Sequence, residues 1–288
     1  MQTCKIFKFL LKWSINLEYK KEALNYMKKI TKLLAFTLAE TLIVMGIIGV
    51  VAALTIPNLN SSTADKEKVA KLKKVYSNLN DAIGRSEAVY GNMSEWQWSN
   101  SNGPASSNDA QMFAERIGDF LKTSKTCGLA LGAGCLSRTA KSLNGTSWVG
   151  SYPPTDNVTG LYKYILADGS SLAISATSYW LQIFVDIDGP NKGSSTAGKD
   201  LFDFWIFSPN SSGLGSQIAS TQSWQLLTDS PGGGNTMLID KTDLSSNFSS
   251  GRGLATWVLQ NDNMDYLKAT NGKCKNNTVL SWTNRSCK

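Results

Sequence analysis

From Phe36 to Ile56, within AFTLAETLIVMGIIGVVAALTIP (Ala35 to Pro57), the only charged residue is Glu40. An α-helix rises about 1.5 Å per residue, so a run of this length covers roughly 30 Å, the thickness of a bilayer's hydrocarbon core. The run therefore predicts one apolar helix able to span a membrane, with the folded part of the chain built from the residues beyond Pro57. A carboxylate in apolar surroundings costs on the order of a few kcal/mol unless it is paired. Glu40 needs a cation.

The residues ahead of the run suggest where that cation comes from. Met27-Lys28-Lys29-Ile30-Thr31-Lys32-Leu33-Leu34-Ala35 is basic, ends in a small residue and abuts the apolar stretch. An ordinary secretory signal would be cut after its apolar stretch. A cut between Ala35 and Phe36 would instead free an α-amino group four residues from Glu40, a spacing that shares one helix face. Stacked copies would equally offer that amine to a neighbour's Glu40.

The basic leader, Ala35, Phe36 with Thr37-Leu38, Glu40, the glycine-containing apolar helix and Pro57 together resemble the class III leader and first helix of type IV pilins and type II secretion pseudopilins. The match is specific from about Met27 to Leu59. Ala35 departs from the glycine most members carry before the cut, and Ala39 from a larger aliphatic residue. The resemblance implies a non-enzymatic structural subunit of a type II secretion-like pseudopilus. The alternative it leaves is a type IV pilus or competence minor pilin with a surface- or ligand-binding head. It further implies cleavage between Ala35 and Phe36 by a prepilin peptidase/N-methyltransferase, methylation of Phe36, and Glu40 neutralising the amine of an adjacent pilin-like subunit. The implied setting is the lipid of a bacterial inner membrane, crossed once, with the C-terminal head in the periplasm or on the extracellular face.

Composition agrees once the leader is set aside. The chain has 29 basic and 22 acidic residues, but residues 1 to 35 hold eight lysines and two glutamates, leaving 21 basic and 20 acidic residues after the expected cut. That near-balance argues against a nucleic-acid partner, which needs a basic face on the mature protein. The stretch before Met27 is basic and mildly amphipathic; Met27 as the true start is the favoured account, and an extended surface-lying leader the other.

Four of five cysteines lie beyond the leader, an even count suited to disulfides in an exported domain. Three connectivities are open. Local pairing, Cys127 with Cys135 around CGLALGAGC and Cys274 with Cys287 across the tail, is the simplest, and pilin-like proteins often close their last segment this way. Metal ligation is the competing reading, weakened by the absence of histidine and of any C-x-x-C spacing. The same absence of histidine excludes a Ser-His-Asp triad.

Beyond Pro57 the spacing of Val69, Leu72, Tyr76, Leu79 and Ile83 predicts that the helix resumes with one apolar face and ends near Tyr90. Asn108 or Asp109 is placed to cap a helix running to Lys122. Strands are expected at Leu161 to Leu166, Ser171 to Ala176, Trp180 to Ile187 and Leu201 to Phe207, with further candidates at Ala255 to Leu259 and Val279 to Trp282. The expected architecture is α+β and pilin-like: a leader over 1–35, a transmembrane and assembly helix over 36–57, its amphipathic continuation over 58–90, and an antiparallel sheet head over 91–288.

One loop has the makings of a site. In FVDIDGPNKGSSTAGKDLFDF, Asp186, Asp188, Asn191 and Asp200 offer side-chain oxygens that suit Ca²⁺. Some major pseudopilins bind calcium in a sheet-edge loop, which this resembles. Asp-Gly-Pro-Asn is equally a strong turn former with no metal. Trp96, Trp98 and Trp148 sit in expected loops and are candidates for a contact surface.

Overall fold

The computed structural model describes residues 20–22, 25, 38–100, 103–148, 153–177, 180–190, 193–209, 224–228 and 244–287, with the helical backbone alone described over 54–62. The chain divides into two compact units, Met1–Ser61 and Ser62–Lys288. Helix α1 runs Leu38–Tyr90, its backbone continuous through Pro57, and carries Glu40 in its first turn.

The expected membrane-spanning half of this helix is corrected. Among the described residues no helix is long and apolar enough to cross a membrane.

In the larger unit, α1 buries Val69, Leu72, Val75, Leu79, Ala82 and Ile83 in steps of three and four. This one-sided stripe faces a five-stranded antiparallel sheet ordered β1 (Thr123–Gly128), β3 (Tyr162–Leu166), β4 (Ser171–Thr177), β5 (Trp180–Asp186), β7 (Leu201–Phe207). Alternate residues supply the facing layer: Tyr164 and Leu166, Leu172 and Ile174, Ile183 and Val185, Phe204 and Ile206. Tyr76 stacks on Phe204 at 5.6 Å. Helix α2 (Ser107–Gly118) adds Phe113, Ala114 and Ile117 to the same core, and the Tyr164 hydroxyl donates to the Ala114 carbonyl at 2.9 Å.

The opposite sheet face is covered too. Ala173, Phe184 and Leu201 pack with Leu136 and Leu161, and Trp148 meets Phe184 at 5.9 Å. That double cover explains why all seven residues of β7 are buried. A short parallel pair, β2 (Thr139–Lys141) and β6 (Ser194–Thr196), flanks the main sheet, and β8 (Ala269–Thr270) and β9 (Lys273–Cys274) form a small hairpin near the C-terminus. Helices α3 (Ser245–Ser250) and α4 (Leu254–Asn261) precede it.

Several expected elements differ. Ala255 to Leu259 belongs to α4, not a strand; Gly253 and Asp262 both adopt left-handed conformations and bound an eight-residue helix buried over five consecutive positions. A short apolar run buried all round carries no period to separate helix from strand. Val279 makes only an isolated bridge to Lys273 and is largely exposed. Helix α2 starts two to three residues early: Ser106 is the cap and Asp109 the third residue of a capping box. Its last residue, Gly118, leaves room for the Tyr164 hydroxyl, which would lie 2.6 Å from a Cβ there.

Candidate functional site

The processing residues Ala35 and Phe36 lie outside the described residues, as does Asn191. What is described of the segment expected to drive assembly is an apolar helix whose large side chains are exposed. Leu42, Ile43, Val44 and Met45 are consecutive and exposed, at 51% to 72%. Four consecutive residues sweep the whole helix circumference at about 100° each, so this is not an amphipathic stripe. Leu38, Ile47, Ile48, Val50 and Val51 extend the coat, and Gly46 and Gly49 open onto empty space. Fully burying one such side chain is worth roughly 1.5–3 kcal/mol.

The loop expected to gather oxygens is held by the protein's own donors. Asp186 is buried at the end of β5; its Oδ1 accepts from the backbone N–H of Asp188 (3.2 Å) and Gly189 (3.1 Å). Its Oδ2 accepts from the hydroxyls of Ser195 and, at 3.4 Å, Ser137. Asp200 accepts from the Thr196 N–H, and Asp188 pairs with Lys68 at 3.3 Å. Burial pushes the Asp186 carboxyl up to about 6, and burial raises Asp200 as well. Among the described residues no group of three acidic, histidine or cysteine side chains is placed to hold a metal ion. Four donors already engage the two oxygens of Asp186. Helix α1 straps the loop down: Lys68 Nζ donates to Lys199 O (3.2 Å) and Lys71 Nζ to Ile187 O (2.9 Å). Gly189, at φ 73°, is required here, since a Cβ would come within 2.1 Å of the Gly169 carbonyl.

Both cysteine pairs are local disulfides, Cys127–Cys135 and Cys274–Cys287, with Cα atoms 6.2 and 5.5 Å apart. Each is backed by an acid that sequence reading missed. The Asp156 carboxylate accepts from the N–H groups of Gly134 (2.6 Å), Cys135 (3.2 Å) and Leu136 (3.3 Å). Beneath it the fully buried Lys163 donates to Asp156 O at 3.0 Å and lies 3.8 Å from its carboxylate. Asp265 accepts from Lys268 (2.7 Å), the Ser286 hydroxyl (2.7 Å) and the Cys287 N–H (3.0 Å). Burial works to raise the Asp265 carboxyl, and these donors outweigh it and hold it low.

Two further polar centres were not legible in the sequence. Arg252 and Asp203 form a buried pair at 3.1 Å, with the guanidinium 5.2 Å from the Trp148 ring centre and 5.8 Å from that of Trp205. Arg116 lies between Trp96 (4.4 Å) and Tyr90 (5.3 Å), whose hydroxyl donates to Asp119 at 2.6 Å. The tryptophans expected to mark a contact surface are packed inward instead. Trp96 is buried, Trp98 stacks on Trp224 at 5.4 Å, and Trp148 covers Phe184.

A family model, the family of unknown function DUF6613, matches residues 58–130, about a quarter of the chain. The match begins beyond the motif that carries the pilin resemblance and takes in the amphipathic part of α1, all of α2 and β1. No curated protein and no solved structure matches the chain. The expected single crossing of a bacterial inner membrane is corrected by the absence, among the described residues, of any helix long and apolar enough to make it.

Proposed function

We propose that this chain is a structural, pilin-like subunit that assembles through the apolar part of α1 into a filament of the type II secretion pseudopilus kind. The observation that carries the reading is the all-round exposure of Leu38 to Val51. A helix coated on every side must be covered on every side, and the same segment of further copies has matching chemistry. The motif around Ala35, Phe36 and Glu40 supports it by resemblance: a prepilin peptidase frees Phe36, and Glu40 meets the methylated amine of a neighbour. The head's disulfides, buried pairs and doubly covered sheet suit a rigid building block, and its acids are engaged with structural donors rather than gathered in a catalytic cleft.

The test is N-terminal mass spectrometry and sedimentation of the protein purified from its host. A mature chain beginning at N-methylated Phe36, in assemblies well beyond a dimer, is expected. Chains intact through Ala35 and sedimenting as monomers would overturn the proposal.

A further inference from the structure

At the Tyr90 end of α1 the surface holds a depression of about 510 Å³, lined in part by Tyr90, Met112, Glu115, Arg116 and Asp119. Val89 beside it is exposed. The last turn of α1 has no basic residue, and the cation beside it is Arg116, whose guanidinium lies 5.3 Å from the Tyr90 ring centre. Glu115, in the last turn of α2 and accepting from Gln111 Nε2 at 2.8 Å, and Asp119, the C-cap of that helix, are exposed, while Arg116 is drawn between the Tyr90 and Trp96 rings. The result is a half-apolar, electronegative hollow suited to a lysine-bearing helix face.

Near the other end of the same amphipathic stretch, five lysines fall between Lys66 and Lys74. Lys68 and Lys71 are committed to the Asp186–Asp200 loop. Lys66 and Lys73 are exposed and seven residues apart, which puts them on one outward helix face. The Lys73 pair with Asp262 is solvent-exposed on both sides. Such a pair is worth little and exchanges partners readily.

We propose that the hollow formed by Tyr90, Glu115 and Asp119 receives the Lys66–Lys73 face of a second copy, so that heads stack head to tail. A contact between two different patches of the same chain repeats without closing, which is what a filament needs. Both patches lie within residues 58–130, the one segment the family model matches. The inference rests on the filament reading and names the head contact that would accompany it.

The experiment uses the full chain in four forms: unchanged, Glu115→Lys with Asp119→Lys, Lys66→Glu with Lys73→Glu, and all four together. Each reversed pair is expected to weaken self-association on the order of tenfold, and the combined form to recover it. A second measurement does not depend on charge: Glu115→Cys with Lys66→Cys in one chain is expected to give an inter-chain disulfide ladder on a non-reducing gel. Association equal in all four forms, with no ladder, would overturn the head contact and leave the apolar-helix reading standing. A chain that never associates in any form would overturn both.

Discussion

Replacing Asp186 by Asn is expected to flatten the pH dependence of the head's stability between pH 4 and 7. In the fold the Asp186 carboxyl is raised to about 6 by burial, from an ordinary value of 3.8. A raised carboxyl binds its proton more tightly folded than unfolded, so its contribution is fully favourable below the unfolded value. That contribution is lost as pH rises through the folded one. At about 1.4 kcal/mol per unit, the difference of roughly two units amounts to about 3 kcal/mol lost between pH 4 and 7. Asn is isosteric and neutral; its oxygen can accept from the Asp188 and Gly189 N–H groups, and its amide can donate to the Ser195 or Ser137 oxygen. Urea unfolding followed by tryptophan fluorescence, at concentrations where sedimentation shows a monomer, should show the variant gaining on the wild type by about 3 kcal/mol as pH rises across that window. The Asp200 charge itself helps to raise the Asp186 carboxyl, so the same comparison is made in an Asp200→Asn background. A constant difference from pH 4 to 7 would refute the assignment of a buried, protonation-favouring site.

Removing one partner of a buried ion pair leaves the other unpaired, so Lys163→Ala is expected to cost roughly 3–5 kcal/mol in chemical denaturation, while Lys163→Met costs less by keeping the packing. Gly251 has φ 83° and a Cβ there would approach the Ala197 carbonyl at 2.1 Å. Gly251→Ala should therefore lower stability by about 1–3 kcal/mol or more, read as a shift in urea midpoint. Asp109 accepts from Ser99, Ala105 and Ser106; burial acts to raise its carboxyl, but these hydrogen bonds prevail and hold it low. Its stabilisation is thus present above the unfolded value and lost as pH falls through the folded one, and Asp109→Asn should remove that acid-side loss in the same titration. Removing each disulfide in turn, by Cys→Ser at both positions, should cost about 2–3 kcal/mol for loops of this length, read in the same denaturation assay.

The strands legible in the sequence were those whose side chains declare a period or an apolar run closed by a turn. β3 and β4 are joined at Asp168-Gly169, where Asp168 Oδ1 accepts from the Ser170 N–H at 3.1 Å and Gly169 takes φ 84°. β7, LFDFWIF, reads as apolar at every position but Asp203 because both sheet faces are covered. β1, by contrast, is TSKTCG, with no apolar alternation; it is a strand because β3 offers an edge, and it remains largely exposed. Lys163 alternates with tyrosines and so reads as outward-facing and solvated. It is buried because Leu136, Ala140, Trp148 and Val158 pack over that face, which no local pattern announces. The Asp203–Arg252 pair joins positions 49 apart, a separation at which sequence spacing carries no signal. At Asp186 the turn was legible, since the Asp188 and Gly189 N–H groups that its Oδ1 accepts from lie two and three residues on; the Ser137 hydroxyl, 49 residues away, was not.

The two parts of α1 differ in how many neighbours they demand. From Val69 to Ser86 the buried positions recur every three or four residues, and one sheet suffices to cover them. From Leu42 to Met45 the apolar residues are consecutive, so the exposed arc is the whole cylinder. A single partner helix at the usual 8–10 Å interaxial distance covers only part of that arc. A dimer formed through this segment would still expose apolar surface, and each added copy would gain from joining it. Growth stops being favourable only when every side is covered. An all-round apolar segment therefore needs more than one neighbour to cover it, whereas the one-sided stripe that follows is covered by the head's own sheet.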